Sequence, residues 1–162
     1  MKSAETLTVI TPSEREIVMT RVFDAPRQLV FDAHTKPDLI KRWLLGPPGW
    51  SMPVCEIDLR VGGTYRYVWR RDSDGTRMGM GGVYREIVAP ERIVNTERFD
   101  EAWYPGEGVG TLVLVERGGK TTLTHTMRYE SRAARDAVLK SGMETGVAAS
   151  YDRLAELLVS TT

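Results

Sequence analysis

The sequence contains one cysteine and two histidines, and this scarcity excludes several kinds of site. Cys55 has no partner for an internal disulfide, and a lone cysteine in a strand-like run is typical of a small buried hydrophobe. His34 and His125 lie in different predicted elements, and neither has a second nitrogen or sulfur ligand at the usual spacing of a zinc site. We therefore predict no metal site and no bound cofactor.

An excess of one charge and long apolar runs are also missing. The sequence has 22 Lys and Arg residues and 22 Asp and Glu residues, so its formal net charge is zero. A zero net charge gives no general electrostatic attraction to nucleic acid or to an anionic membrane. The chain has no run of about eighteen apolar residues, and its N-terminus has no basic segment followed by an apolar one. We therefore expect a cytoplasmic protein with no nucleic-acid partner and no membrane insertion.

The usual signatures of nucleophilic and phosphate-binding enzymes are absent as well. No serine lies in a Gly-x-Ser-x-Gly segment, and the single cysteine makes no convincing pair with a histidine. The glycines at 62–63 and 79–82 lie between or within predicted strands, where turns and bulges explain them better than a phosphate cradle does. The sequence predicts no catalytic residue.

The composition is that of a globular domain, because 41% of the 162 residues are hydrophobic and 27% are charged. We predict a tail or short strand in residues 1–13 and one domain in residues 14–162. A strand is expected at 15–23, followed by a short helix from Pro26 to about His34 and a second one that Thr35 caps. The Gly-Pro-Pro-Gly segment at 46–49 ends the second helix.

From Trp50 onward the hydrophobic period changes to two, which indicates a meander of antiparallel strands. Turn residues divide this region into six predicted strands, at 53–60, 64–71, 77–88, 92–99, 109–116 and 121–129. The connection at 100–108 is long for a hairpin, and we expect Trp103 and Tyr104 to be exposed there.

A single amphipathic helix is predicted at 131–159, with Ser131 as its N-cap and an apolar side that includes Met143, Val147 and Tyr151. Gly142 and Gly146 lie on its edge and have two interpretations. They let the helix approach a sheet closely, or they leave room for a bound molecule above a cavity. The element order predicts an α+β fold in which a curved antiparallel sheet, with two short helices, carries this long helix over a cavity.

Polar residues on the apolar strand faces are the candidates for chemistry. His125 is the sharpest of them, either as a hydrogen-bonded core residue, as a ligand contact or as an acid or base, and Glu97, Asn95 and Tyr67 accompany it. Aromatic and methionine side chains supply the apolar wall. The predicted ligand-binding residues are Trp43, Tyr67, Trp69, Met80, Glu97, His125, Met127, Met143, Gly146, Val147 and Tyr151.

Six short segments, in order along nearly the whole chain, carry a resemblance to a known family. They are residues 21–26 (Arg-Val-Phe-Asp-Ala-Pro), Trp43 with Gly46-Pro47, residues 58–63 (Asp-Leu-Arg-Val-Gly-Gly), residues 82–86 (Gly-Val-Tyr-Arg-Glu), residues 90–93 (Pro-Glu-Arg-Ile), and Gly142-Met143 with Gly146. Together they resemble the family of proteins similar to the activator of heat shock protein 90 ATPase, in the START-like or SRPBCC superfamily. The resemblance implies a helix-grip fold that encloses a largely apolar cavity.

The same resemblance implies a binder of small hydrophobic molecules, aromatic or lipid-like, and that is the predicted function. Two alternatives stay open: a chaperone-interacting protein related to the eukaryotic co-chaperones that name the family, and a cyclase- or hydrolase-like enzyme with His125 as general acid or base. We expect a single-domain chain of this kind to lack the extra domain of those co-chaperones, and the family has no shared catalytic residue to map onto it. The predicted partner is a small hydrophobic molecule, and under the first alternative it is a chaperone. The protein is expected to be a monomer or a homodimer.

Overall fold

The computed structural model describes residues 6–101 and 103–161, the last of these by its backbone alone. Residues 1–5 of the predicted tail lie outside the described residues. The described chain forms, in order, β1 (Thr8–Ile10), β2 (Glu16–Phe23), α1 (Arg27–Thr35), α2 (Pro37–Trp43), β3 (Trp50–Ile57), β4 (Thr64–Arg71), β5 (Arg77–Val88), β6 (Arg92–Phe99), β7 (Gly108–Arg117), β8 (Lys120–Arg128), α3 (Arg132–Lys140) and α4 (Met143–Thr161).

The strands form one antiparallel sheet in the order β1-β2-β8-β7-β6-β5-β4-β3. The six strands from β3 to β8 are the predicted meander, since each pairs with its neighbour in sequence. The one non-local pairing is between β2 and β8, in which Met19 lies opposite His125. The predicted α+β fold, with a sheet and a C-terminal helix in the helix-grip arrangement, is confirmed.

Local turn chemistry explains where the strands end. β4, β5 and β6 have the predicted bounds, because Gly75 adopts φ +75° in the turn between β4 and β5 and Pro90 lies in the turn between β5 and β6. β3 was expected at 53–60 and instead begins at Trp50 and ends at Ile57. The reason is the next turn: the amide of Asp58 still donates to Thr64 at 2.9 Å, but the amide of Arg60 donates to Asp58 at 2.9 Å and that of Gly63 donates to Arg60 at 2.8 Å, so the chain turns here.

The prediction of a single helix at 131–159 is wrong in one respect, because the chain forms two helices in this region, α3 and α4. Ser131 caps α3 as predicted, since its hydroxyl accepts a hydrogen bond from the amide of Ala134 at 3.0 Å. Gly142 then adopts φ +81°, a left-handed conformation that ends α3 and redirects the chain into α4. Gly142 is therefore a helix stop and does not belong to a continuous apolar stripe.

Thr35 does not cap the second helix. It is the last residue of α1, and its hydroxyl donates back to the carbonyl of Phe31 at 3.0 Å. Lys36 occupies the cap position of α2, and no side chain there accepts a hydrogen bond. Pro37 suits the start of α2 all the same, because the first helical amides have no partner inside the helix.

The predicted apolar side of α4 faces the interior. Tyr151 stacks on Trp43 of α2 with ring centroids 5.8 Å apart and meets Phe23 of β2 edge-on at 5.7 Å, while Leu154 and Leu158 are buried. Burial of each such side chain contributes about 1.5–3 kcal/mol. α4 packs mainly against α2, so a space remains between its first half and the concave face of the sheet. No helix in residues 6–101 and 103–161 is both long and apolar enough to span a membrane.

Candidate functional site

The space between α4 and the sheet is a cavity of about 700 Å³. Small-molecule sites in proteins typically measure about 300–1,000 Å³, so this volume suits an organic ligand. Strands β4 to β8 form its floor, and α4 forms its roof through residues one helical turn apart, Met143, Val147 and Tyr151. At one end, residues 44–47 close it, because the amide of Gly46 donates to the hydroxyl of Ser150 at 2.9 Å.

All eleven residues predicted from the sequence line this one cavity: Trp43, Tyr67, Trp69, Met80, Glu97, His125, Met127, Met143, Gly146, Val147 and Tyr151. Their side chains come from α2, α4 and four different strands, so the tertiary fold brings them together. Contact with a ligand stays a prediction for each of them.

Gly146 lies close to a loop and not to the sheet. A Cβ atom added there would be 3.4 Å from the Cδ atom of Pro47 and 3.8 Å from the Cα atom of Gly46. The expected close approach of helix and sheet is therefore wrong at this position. The missing side chain lets residues 46–47 pack across the start of α4, where they also line the cavity.

Hydrogen bonds to the backbone hold three of the aromatic rings that face the cavity. The indole of Trp43 donates to the carbonyl of Ala33 at 2.8 Å, and that of Trp69 donates to Leu44 at 2.7 Å. The hydroxyl of Tyr65 donates to the carbonyl of Thr96 at 2.6 Å. Because their polar atoms are already satisfied, these rings present mainly their apolar surfaces to a ligand.

Six tyrosines line the cavity, and we call them the cavity phenols: Tyr65, Tyr67, Tyr84, Tyr104, Tyr129 and Tyr151. Burial raises the pKa of every one of them above the ordinary tyrosine value. They are therefore neutral at physiological pH, and they offer both hydroxyl groups and aromatic faces.

Tyr104 was expected to be exposed with Trp103, and that expectation is wrong. It is only 4% exposed and packs edge-on against Tyr129 with ring centroids 5.3 Å apart, whereas Trp103 is 42% exposed and lines the cavity at its margin. The hydroxyl of Tyr104 is buried and has no hydrogen-bond partner among the described residues. An unsatisfied buried hydroxyl is costly, and this oxygen has almost no surface that a ligand could reach.

Two glycines that the sequence analysis did not single out make room for side chains of the cavity floor. Gly108 and Gly110 lie on the inward face of β7, where Gly108 pairs with Glu97 and Gly110 pairs with Asn95 of β6. A Cβ atom at Gly110 would be 3.0 Å from the Nε2 atom of His125. The available signal was the spacing itself, because Gly-x-Gly in a strand removes two successive side chains from one face.

Glu97 is the one acidic residue among the described residues that line the cavity. It makes no hydrogen bond or ion pair to any described residue, and burial raises the pKa of its carboxyl to about 7. Its charge in turn contributes to the raised pKa of Tyr65, Tyr67, Tyr104 and Tyr129, which places the carboxyl among these rings. A carboxyl that titrates near neutral pH in a cleft is a candidate functional group.

Both histidines line the cavity in their neutral form. Burial lowers the pKa of His34 and of His125 to about 4, and the proximity of the two rings adds to the effect at His125. The Nδ1 atom of His34 donates to the carbonyl of Val30 at 2.7 Å, whereas the ring of His125 has no hydrogen-bond partner among the described residues. His125 can therefore orient a polar group of a ligand but is a weak base at neutral pH.

Two other sequence interpretations concern metals and the thiol. No group of three or more His, Cys, Asp and Glu side chains in the described ranges could hold a metal ion. Cys55 is half-buried on β3, and burial raises the pKa of its thiol to about 11, so it is protonated at neutral pH. A protonated thiol is a poor nucleophile.

Several solved structures are similar to this chain. A Rhodobacter sphaeroides protein superposes with a TM-score of 0.90 at 30% identity, over 96% of this chain and 99% of its own. For a Chromobacterium violaceum protein the TM-score is 0.77 at 30% identity, over 90% and 98%. For a Staphylococcus epidermidis protein it is 0.80 at 27% identity, over 94% and 94%. No curated protein matches the sequence.

The comparison with protein families agrees with the structural one. The family model described as Activator of Hsp90 ATPase homolog 1-like protein matches residues 24–159, which include α1, the meander from β3 to β8 and nearly all of α4. Apart from β2 and the last two residues of α4, the elements that enclose the cavity lie inside this match. The chain therefore belongs to the Activator of Hsp90 ATPase homolog 1-like family.

Proposed function

We propose that this protein binds a small hydrophobic molecule, aromatic or lipid-like, in the cavity between α4 and the sheet, and that it does so without chemical turnover. The observation that supports the proposal is the cavity itself, about 700 Å³ of space lined mainly by aromatic, methionine and aliphatic side chains. The family resemblance to START-like proteins supports the same function.

The physical argument starts from packing. Protein interiors reach a packing density of about 0.75, so side chains around an open space of this size forgo contacts that an interior normally makes. A ligand would supply those contacts. One that buries roughly 300 Å² of apolar surface would gain about 7 kcal/mol before the costs of ordering are subtracted, which is enough for a specific complex.

Binding is favoured over catalysis by what the polar groups contact. Ser141, Thr145 and Ser150 are the hydroxyl nucleophiles among the described lining residues, and none of them is hydrogen-bonded to His125 or His34. The low pKa of His125 also weakens the candidate that the sequence offered as general base. The lining therefore lacks an assembled nucleophile and base.

The cavity also explains the aromatic loop better than a chaperone contact does. Of the two aromatic residues in that loop, Tyr104 is buried and its ring lines the cavity. Trp103 alone remains as an exposed anchor, and its ring packs against Tyr104 with centroids 5.0 Å apart. A single half-exposed aromatic residue is a small basis for a protein interface.

The test is to fill the cavity from the helix side. Val147→Trp places a large ring in the cavity, and Glu156→Trp adds the same ring on the exposed side of α4 as the control. Titration with Nile red, a neutral fluorescent hydrophobe, is expected to show an affinity about tenfold lower for Val147→Trp and unchanged for Glu156→Trp. Equal affinity in all three folded proteins, checked by thermal unfolding, would contradict binding in this cavity.

Native mass spectrometry of freshly purified protein gives an independent measurement. We expect a co-purifying small molecule on the wild type and on Glu156→Trp. Val147→Trp is expected to lose it, because the introduced ring occupies the same space.

A further inference from the structure

The cavity has an unusual balance of charge. Among the described residues that line it, none is lysine or arginine, and Glu97 is the one that can carry a negative charge. Both histidines are neutral at physiological pH, and so are the cavity phenols. A ligand in the cavity therefore meets no positive charge that would hold a carboxylate or a phosphate.

The surroundings of Glu97 suit a cation. Four of the cavity phenols, Tyr65, Tyr67, Tyr104 and Tyr129, are close enough for their pKa to respond to the carboxyl. Aromatic faces attract an ammonium group through the ring quadrupole, and a carboxylate adds a charge-assisted hydrogen bond. An anionic ligand would be repelled by the ionised carboxyl, and among these groups only neutral hydroxyl donors would offset its lost hydration.

Glu97 lines the cavity and is partly exposed there. Gly108 lies opposite Glu97 in the sheet, and a Cβ atom placed there would be 3.0 Å from the Cε atom of Met127 and 3.7 Å from the hydroxyl oxygen of Tyr104, so neighbouring side chains occupy the space beside this glycine. Neither the carboxyl of Glu97 nor the hydroxyl of Tyr104 has a hydrogen-bond partner among the described residues. The unpartnered carboxyl of Glu97 thus belongs to the cavity lining, where a ligand group can reach it.

Resting on the proposed function, we infer that the cavity selects hydrophobic molecules that carry a basic nitrogen, with Glu97 as the counter-ion of the protonated amine. The apolar part of the ligand lies against the aromatic wall, and the ammonium group lies against the carboxyl of Glu97. Hydrophobic acids, fatty acids among them, are disfavoured because Glu97 repels their carboxylate and no lysine or arginine in the described lining compensates.

The inference has a definite pH dependence. Glu97 must be ionised to pair with an ammonium group, and its pKa of about 7 means that the ionised fraction falls from about nine-tenths at pH 8 to about one-tenth at pH 6. The other titratable groups facing the cavity are the cavity phenols, His34 and His125, all neutral over this range. Arg98, the next residue along β6, is exposed and does not line the cavity.

Three fluorescent probes with one skeleton test the inference: naphthylethylamine, naphthylethanol and naphthylacetic acid. At about pH 8 we expect the amine to bind wild-type protein about tenfold more tightly than the alcohol, and the acid to bind about tenfold more weakly. The affinity of the amine is expected to fall about tenfold between pH 8 and pH 6, while that of the alcohol stays constant. An amine of this kind has a pKa near that of lysine, about 10, so the ligand itself stays protonated.

The matched variants are Glu97→Gln and Glu56→Gln, which remove one carboxyl charge inside the cavity and one from the exposed side of β3. Glu97→Gln is expected to abolish both the preference for the amine and its pH dependence, and Glu56→Gln to preserve them. If the alcohol binds and the amine binds no better, the inference is overturned while the proposed function stands. If none of the probes and no Nile red binds, the proposed function fails first.

Discussion

Gly110 on β7 lies directly against His125 on β8, so that a Cβ atom added at Gly110 would come within 3.0 Å of the Nε2 atom of the imidazole. The same added atom would be 3.0 Å from the sulfur of Met127. The absence of one side chain thus leaves space for two others that line the cavity. This glycine contributes to the shape of the site as much as the residues that contact it do.

Gly110→Val is expected to push His125 and Met127 into the cavity and to shrink it. Overpacking of this kind costs about 1–3 kcal/mol of unfolding free energy, and we expect the affinity for Nile red to fall by about tenfold. Urea unfolding and Nile red titration measure the two effects. Thr111→Val, on the other face of the same strand, is the control. Wild-type affinity in a folded Gly110→Val protein would refute the role assigned to this glycine.

Glu97→Gln is expected to stabilise the protein increasingly as the pH rises from about 4.5 to about 7, and fully above that. The folded carboxyl has a pKa of about 7 against an ordinary value of 4.5, so between these values the native state holds a proton that the unfolded state has released. Stability is therefore greatest below about pH 4.5 and falls as the pH rises to about 7, by up to about 3 kcal/mol. Urea unfolding at about pH 5 and pH 8 measures the difference, with Glu56→Gln as control. A gain of equal size at both pH values would contradict the burial of this charge.

His125 is expected to lower the stability of the fold as the pH falls, whereas Glu97 lowers it as the pH rises. Its folded pKa is about 4 against an ordinary 6.5, so the unfolded state binds the proton first as the pH falls. Its contribution is fully present above about pH 6.5 and is lost towards pH 4, by up to about 3 kcal/mol. In His125→Gln the acid-induced loss of unfolding free energy is expected to be shallower than in the wild type. Parallel stability curves for the two proteins between about pH 7 and pH 4 would show that the imidazole is not buried in its neutral form.

Tyr151 joins the roof of the cavity to the core through its stacking on Trp43 and its edge contact with Phe23. Tyr151→Ala would leave a void between α4, α2 and β2, and truncations of this size cost about 3–5 kcal/mol. Tyr151→Phe keeps the ring and is expected to cost less than about 1 kcal/mol. Chemical unfolding compares the two variants. A large loss in Tyr151→Phe would mean that the hydroxyl, and not the packing of the ring, stabilises the helix.

Some boundaries could be predicted because they depend on nearby residues. β4, β5 and β6 begin and end where alternation meets a turn, and the left-handed φ of Gly75 is a local property of glycine. The break between α3 and α4 was just as local, since Gly142 follows Ser141 at the end of α3. The sequence analysis did not predict this break, because the apolar spacing continues across Gly142. Such a spacing does not distinguish one long helix from two consecutive helices.

The sequence by itself determined the order of the elements, the inward face of each strand and the family, because alternation, helical spacing and short motifs are written in neighbouring residues. It also identified eleven residues that meet around one cavity. Only the tertiary structure decided that a cavity separates the apolar face of α4 from the apolar face of the sheet. Their separation depends on long-range contacts, among them Tyr151 against Trp43 and Ser150 with Gly46. Burial in that enclosed space, and no local pattern, gives Glu97 a pKa of about 7.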